Sequence, residues 1–130
     1  MHSPKLIKAL NDVKFSFNSY TMNMTSIKYG VASINDKAYF DECVGKIIET
    51  REKAKESLTK LGFTFPDSKA NFIFATHKSV PAKEIFEKLK AKKIYVRYFN
   101  QPGIDNYLRI SVGTDEQMDK LIQALSDIVA

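Results

Sequence analysis

Two neighbouring runs, Ile94-Tyr95-Val96-Arg97-Tyr98-Phe99 and Tyr107-Leu108-Arg109-Ile110-Ser111-Val112, decide how the chain is read. Each has the period of two that marks a half-buried strand. Leu108, Ile110 and Val112 share one face, and Tyr107, Arg109 and Ser111 the other. In the first run Ile94, Val96 and Tyr98 likewise oppose Tyr95, Arg97 and Phe99. Between the runs, Asn100-Gln101-Pro102-Gly103-Ile104-Asp105-Asn106 is loop chemistry, so the two strands should pair as a hairpin. If that hairpin closes at Phe99 and Tyr107, Arg97 stands directly opposite Arg109, on the face turned away from the aliphatic side chains. Like charges facing each other across a ladder are destabilising, so an anion or a carboxylate between them would explain the placement. The planar guanidinium fork suits carboxylate and phosphate alike. The pattern leaves open the plainer alternative of two solvated arginines on an exposed sheet.

Upstream, Ser3-Pro4 opens a brief helix carrying Leu6, Ile7 and Leu10. Residues 14 to 24 are rich in Ser, Thr and Asn without a helical period and read as a loop bearing exposed or partner-facing aromatics. A second helix is expected over about 25 to 34. After the cap candidates Asn35 and Asp36, apolar residues from Phe40 through Cys43, Ile47, Ala54 and Leu58 recur at spacings of three and four until Gly62, which makes one long amphipathic helix. Phe63-Thr64-Phe65 and Asn71 to Thr76 look like strands separated by the turn residues Pro66-Asp67-Ser68. Ser79 can cap a helix over Ala82, Ile85, Phe86 and Leu89, and Thr114 with Gln117 matches a capping box for a last helix. The predicted order is α-α-α-β-β-α-β-β-α. That order implies an α+β fold, a small, mostly antiparallel sheet packed against helices.

A chain of 130 residues, 44% apolar, suits one globular core. No eighteen-residue apolar run and no apolar leader follow Met1-His2-Ser3-Pro4-Lys5, so a cytoplasmic location is expected, with no membrane. Cys43 is the single cysteine, which excludes an intrachain disulfide, and beside His2 and His77 it gives too few ligands for a zinc site. Its place on an apolar stripe favours a buried structural thiol. The net charge of +5 includes a lysine cluster at 83, 88, 90, 92 and 93, but Glu84 and Glu87 are interleaved as on an ordinary solvated helix face. A nucleic-acid module that stacks bases on Phe72, Phe74, Tyr95 and Phe99 is the competing reading, although the glycine-aromatic signature of an RNA-recognition strand is absent; no nucleic acid is expected.

The arginine-bearing runs, Gln101-Pro102-Gly103 between them, and Gly113-Thr114 after them resemble the C-terminal region of histidinol-phosphate aminotransferases. So do Pro4-Lys5-Leu6-Ile7-Lys8-Ala9-Leu10, Phe17-Asn18-Ser19-Tyr20 and Ser68-Lys69-Ala70-Asn71-Phe72-Ile73-Phe74. The resemblance implies a fold-type I enzyme that uses pyridoxal 5′-phosphate, acts as a homodimer and transfers an amino group between histidinol phosphate and 2-oxoglutarate in histidine biosynthesis. It matches Arg109 to the arginine that clamps the substrate α-carboxylate, and Arg97 to the arginine turned toward the phosphate. Tyr20 and Asn18 fall in a segment that returns past the active site and are given no chemistry.

The family's cofactor motifs do not occur in these residues: no Ser-Lys segment followed by Gly-x-Arg-x-Gly, and no phosphate cup. Such enzymes run to roughly two or three times this length. The chain therefore reads as the C-terminal small domain alone, with residues 1–36 an interdomain helix and loop segment, residues 37–130 an α/β core, and the lysine-bearing domain absent. No cofactor is expected in this chain and no transamination from it in isolation. Lys28, Lys46 and Lys60 read as surface lysines, and Phe15, Phe17, Met22, Met24 and Ile27 as residues without a partner, hence mobile or used in self-association. A small domain from an aminotransferase of other specificity, for aromatic or other amino acids, is the nearest alternative.

Overall fold

A computed structural model describes residues 3–17 and 20–130, apart from the side chain of Phe17. Asn18 and Ser19, which carry part of the resemblance, lie outside the described residues. The elements are α1 (Pro4–Phe17), α2 (Met24–Asn35), α3 (Lys37–Lys60), β1 (Phe63–Thr64), β2 (Phe72–His77), α4 (Ala82–Ala91), β3 (Arg97–Tyr98), β4 (Leu108–Ser111) and α5 (Asp115–Val129). Their order is the one read from the sequence. The chain divides into two compact units, Met1–Phe40 and Asp41–Ala130.

In the first unit, α1 does not stop near Leu10 but continues to Phe17, so Lys14 to Phe17 are helical, and of the described residues in the expected loop only 20–23 lie outside a helix. Polar composition misled there: Ser16 does not break the helix because its hydroxyl donates to the Val13 carbonyl one turn back. The second helix starts where Asn23 caps it, its Oδ1 accepting from Ser26 N at 2.8 Å. All residues with described side chains from Ser3 to Phe40 are exposed.

In the second unit the sheet order is β1-β2-β4-β3, antiparallel throughout. Strand β4 lies between β2 and β3, so the α4 connection steps across it. One sheet face is closed by the C-terminal half of α3 with α4 and α5. There Leu58, Ile73, Ile85, Leu89, Leu108, Ile110 and Leu125 are fully buried. Burying one such side chain is worth roughly 2 kcal/mol. Gly62 ends α3 at φ +86, where a Cβ would stand 3.1 Å from His77 Nε2, so both conformation and space require glycine. His77 is itself buried, its Nδ1 accepting from Val80 N at 3.0 Å while Nε2 is 3.0 Å from the Leu61 carbonyl. That pattern assigns the proton to Nε2.

Three local expectations fail. Ser79 does not cap α4: Pro81 is the N-cap residue without a side-chain bond, and Asn106 Oδ1 instead accepts from Ala82 N at 3.0 Å. Pairing in β3 is confined to Arg97 and Tyr98, and Ile94 and Val96 instead line a groove of ≈ 510 Å³ with Ile110 and Met118. Cys43 is half-buried rather than enclosed, since the apolar stripe of α3 is exposed at Ile47 and Ile48 and covered only from Thr50 onward.

Candidate anion-binding face

The sheet face turned away from the helices carries the arginines. Strand pairing sets Phe72 beside Ser111, and Phe74 beside Arg109, which in turn faces Arg97. The hairpin register read from the sequence is therefore the one observed, and both arginines are exposed. Among the described residues neither guanidinium meets a carboxylate; each lies over a ring instead. Arg109 Cζ is 5.6 Å from the Phe72 centroid, and Arg97 Cζ is 5.5 Å from that of Phe99. Phe72 belongs to the Ser111 side of the arginine row and Phe99 to the turn side, so the two cations lean apart along the strands. Repulsion favours that divergence, and each ring face compensates with a cation–π contact of about 0.5–1 kcal/mol. The face thus presents two separate guanidinium groups rather than one paired fork.

Aromatic rings fill the space beside the row. Phe74 stacks on Tyr107 with centroids 4.7 Å apart and planes 12° from parallel, and it meets Phe99 edge-on at 6.1 Å and 71°.

The Phe72 end is anchored by a network that pattern reading missed. Lys55, buried in α3, donates to Asp67 Oδ1 at 2.6 Å, and buried Arg51 donates to the Ala70 carbonyl at 3.2 Å. Ser68 Oγ donates to the Phe72 carbonyl at 2.5 Å while accepting from Ala70 N at 3.2 Å. Val112 N then bonds the Asn71 carbonyl at 2.9 Å, which locks the start of β2 onto β4. Lys55, and secondarily Lys69, hold the Asp67 carboxyl down to about 2. The signal was present in the sequence: Arg51 and Lys55 occupy the i+4 and i+8 positions from Ile47, inside the stripe that faces the core.

The remaining sequence candidates are placed as follows. In the lysine cluster, Lys88 pairs with Glu84 at 2.8 Å and Lys92 with Asp127 at 2.8 Å, while Lys90 lies over Phe86. Cys43 lines a groove of ≈ 690 Å³ with Ile47, Thr50, Gly113 and Gln117, where the Thr50 hydroxyl is already given to Asp115 at 2.5 Å. Among the described residues no group of acidic, histidine or cysteine side chains could hold a metal, and no helix is long and apolar enough to cross a membrane.

The profile of the family described as aminotransferase class I and II matches residues 1–125. The chain belongs to that family. This aminotransferase chain is 48% identical over 124 residues to the histidinol-phosphate aminotransferase of Brachyspira hyodysenteriae, an alignment covering 95% of this chain and 35% of the relative. The enzyme of the same name from Acinetobacter baumannii is 52% identical over 120 residues, 92% of this chain and 33% of its own length. The chain thus spans about a third of the curated relatives it matches. Among solved structures, the histidinol-phosphate aminotransferase of Clostridium acetobutylicum superposes with a TM-score of 0.76 at 21% identity, covering 94% of this chain and 38% of that one. The Sinorhizobium meliloti enzyme, solved with pyridoxal 5′-phosphate, gives 0.75 at 22%, covering 99% and 35%. These likenesses establish the mixed α+β fold of a fold-type I aminotransferase piece.

Full-length enzymes of this family use pyridoxal 5′-phosphate, which needs a lysine amine able to condense with its aldehyde. Four of the helical lysines show no fit to that task. Lys46 bonds Glu42, Lys55 is held by Asp67 and Glu52, and Lys28 and Lys60 lie exposed on helices. No step through the cofactor is therefore assigned to these residues.

Proposed function

We propose that this chain is the substrate-binding small domain of a histidinol-phosphate aminotransferase, taking part in amino transfer between histidinol phosphate and 2-oxoglutarate but inactive in isolation. Residues 1–36 would serve as the segment joining it to the cofactor domain, residues 37–130 as the domain proper, and the whole enzyme as a cytoplasmic homodimer. The observation that carries the reading is the row Phe74–Arg109–Arg97, two arginines presented without carboxylate partners among the described residues. Glutamate and 2-oxoglutarate carry two carboxylates, and histidinol phosphate carries a phosphate, so a face with two separate guanidinium stations meets both partners of the exchange. In this reading Arg109 holds the α-carboxylate and Arg97 the phosphate. The identities of 48% and 52% to enzymes bearing that name support the substrate class.

The test is made in the complete enzyme. Arg109→Ala should lower kcat/KM for every amino-acid substrate, by ten- to a hundredfold for a charge-assisted bond. Arg97→Ala should discriminate mainly against the phosphorylated substrate. Equal losses for phosphorylated and unphosphorylated substrates would remove the role given to Arg97.

A further inference from the structure

Phe74, Tyr107 and Phe99 sit on the sheet face away from the core, yet each is half-buried, and Phe74 is in ring contact with both of the others. Phe74 and Tyr107 make a flat double layer, and Phe99 meets Phe74 edge-on at 71°. The three rings form a corner with one flat wall and one upright wall. Arg97 lies over Phe99 and so borders the corner, while Arg109, the cross-strand neighbour of Phe74, turns its guanidinium over Phe72 next along the row. A purely anionic ligand has no use for such a surface, because aromatic faces carry negative potential and repel it. The corner suits a ligand that joins a planar ring to an anion within one small molecule.

We propose that Phe74, Tyr107 and Phe99 form the shelf on which the planar heteroaromatic ring of the substrate stacks while the arginine row holds its anion. This rests on the anion-binding reading of Arg97 and Arg109 and adds to it a contact that distinguishes ring-bearing from ringless substrates. A ring laid against the Phe74 layer is offset from the cations, so ring and anion are recognised by different side chains and contribute separately.

The test is an NMR titration of the 130-residue chain with two phosphate monoesters, histidinol phosphate and the ringless 2-aminoethyl phosphate. The ring-bearing ligand should bind about fivefold more tightly, the size of one aromatic contact, and its ring protons should move upfield. Phe74→Leu and Phe99→Leu, each checked for native circular dichroism, should close the gap between the two ligands and abolish the upfield shift. Arg97→Gln should weaken both ligands. Equal affinities in the unmodified chain, or a gap that persists in both leucine variants, would overturn the shelf and leave the arginine stations standing. Failure to bind either phosphate would overturn both.

Discussion

Arg97 and Arg109 stand opposite each other across the β3–β4 ladder, and among the described residues neither is neutralised by a carboxylate. Among the described residues each guanidinium is steadied by a ring, so the pair keeps a repulsion that an added anion can relieve. Phosphate should therefore raise the melting temperature of the chain beyond what chloride of equal ionic strength achieves. At ten times the dissociation constant the gain is about 1.4 kcal/mol, or several degrees for a domain of this size. Arg97→Gln and Arg109→Gln should each flatten the response. Thermal scans in which phosphate and chloride act alike would show that the face does not select anions.

The start of α4 makes a second, independent case. Asn106 caps it from the loop before β4, with its Nδ2 also donating to Thr76 Oγ1 at 3.2 Å. Asn106→Ala should cost about 1 kcal/mol in urea unfolding, the usual value for a lost helix cap, whereas Ser79→Ala should be near neutral. The reverse ranking would restore the local cap.

These two sites show what a sequence reveals and what it hides. Alternation along Tyr107 to Val112 reports burial directly, so it revealed the strand, its buried face and, through the loop between Phe99 and Tyr107, the register of the arginines. The capping box at Thr114 and Gln117 was legible for the same reason, being complete within four residues. The Asn106 cap was not, since its partner lies 24 residues away and only the tertiary fold brings them together. Arg51 and Lys55 were passed over because a charge within an apolar stripe looks like a break until its partners, the Ala70 carbonyl and Asp67, are known. The lean of the guanidiniums toward Phe72 and Phe99 is likewise a matter of three-dimensional packing that strand periodicity does not encode.

Lys93 ends α4 in a left-handed conformation, φ 61, with Lys93 N bonded to the Lys90 carbonyl and Ile94 N to the Leu89 carbonyl, both at 2.9 Å. That is the Schellman arrangement, in which glycine is the favoured residue. A side chain there costs roughly 1–2 kcal/mol of backbone strain. Lys93→Gly should stabilise the chain by about 1 kcal/mol, after allowance for glycine's greater freedom when unfolded. A loss of stability on this substitution would show that the lysine side chain contributes more than its backbone strain costs.

The Lys55–Asp67 contact predicts a definite acid limb. The Asp67 carboxyl is held at about 2 in the folded chain against 3.8 for the free group, chiefly by its bond to Lys55. A depressed folded value means that the contact stabilises fully above the unfolded value and loses its effect as pH falls from about 4 toward 2. Asp67→Asn should lower the melting temperature at pH 6, and the gap to the unmodified chain should close as pH approaches 2. A gap that stays constant across that range would mean that packing of the loop, rather than its charge, sets the difference.

The last prediction concerns α2. Ile27, Val31 and Ile34 recur at i, i+4 and i+7 on one stripe, and they are 49%, 56% and 78% exposed. A contiguous apolar stripe of this kind marks a surface that another polypeptide covers. In the complete enzyme that cover would come from the cofactor domain or the dimer mate; for this chain by itself a second copy is the available substitute. Sedimentation at tens of micromolar should therefore show species heavier than the 14.8 kDa monomer. Ile27→Glu together with Val31→Glu should shift the distribution toward monomer without unfolding the sheet, because both residues lie outside the buried core. A strictly monomeric unmodified chain at that concentration would refute self-association through this helix.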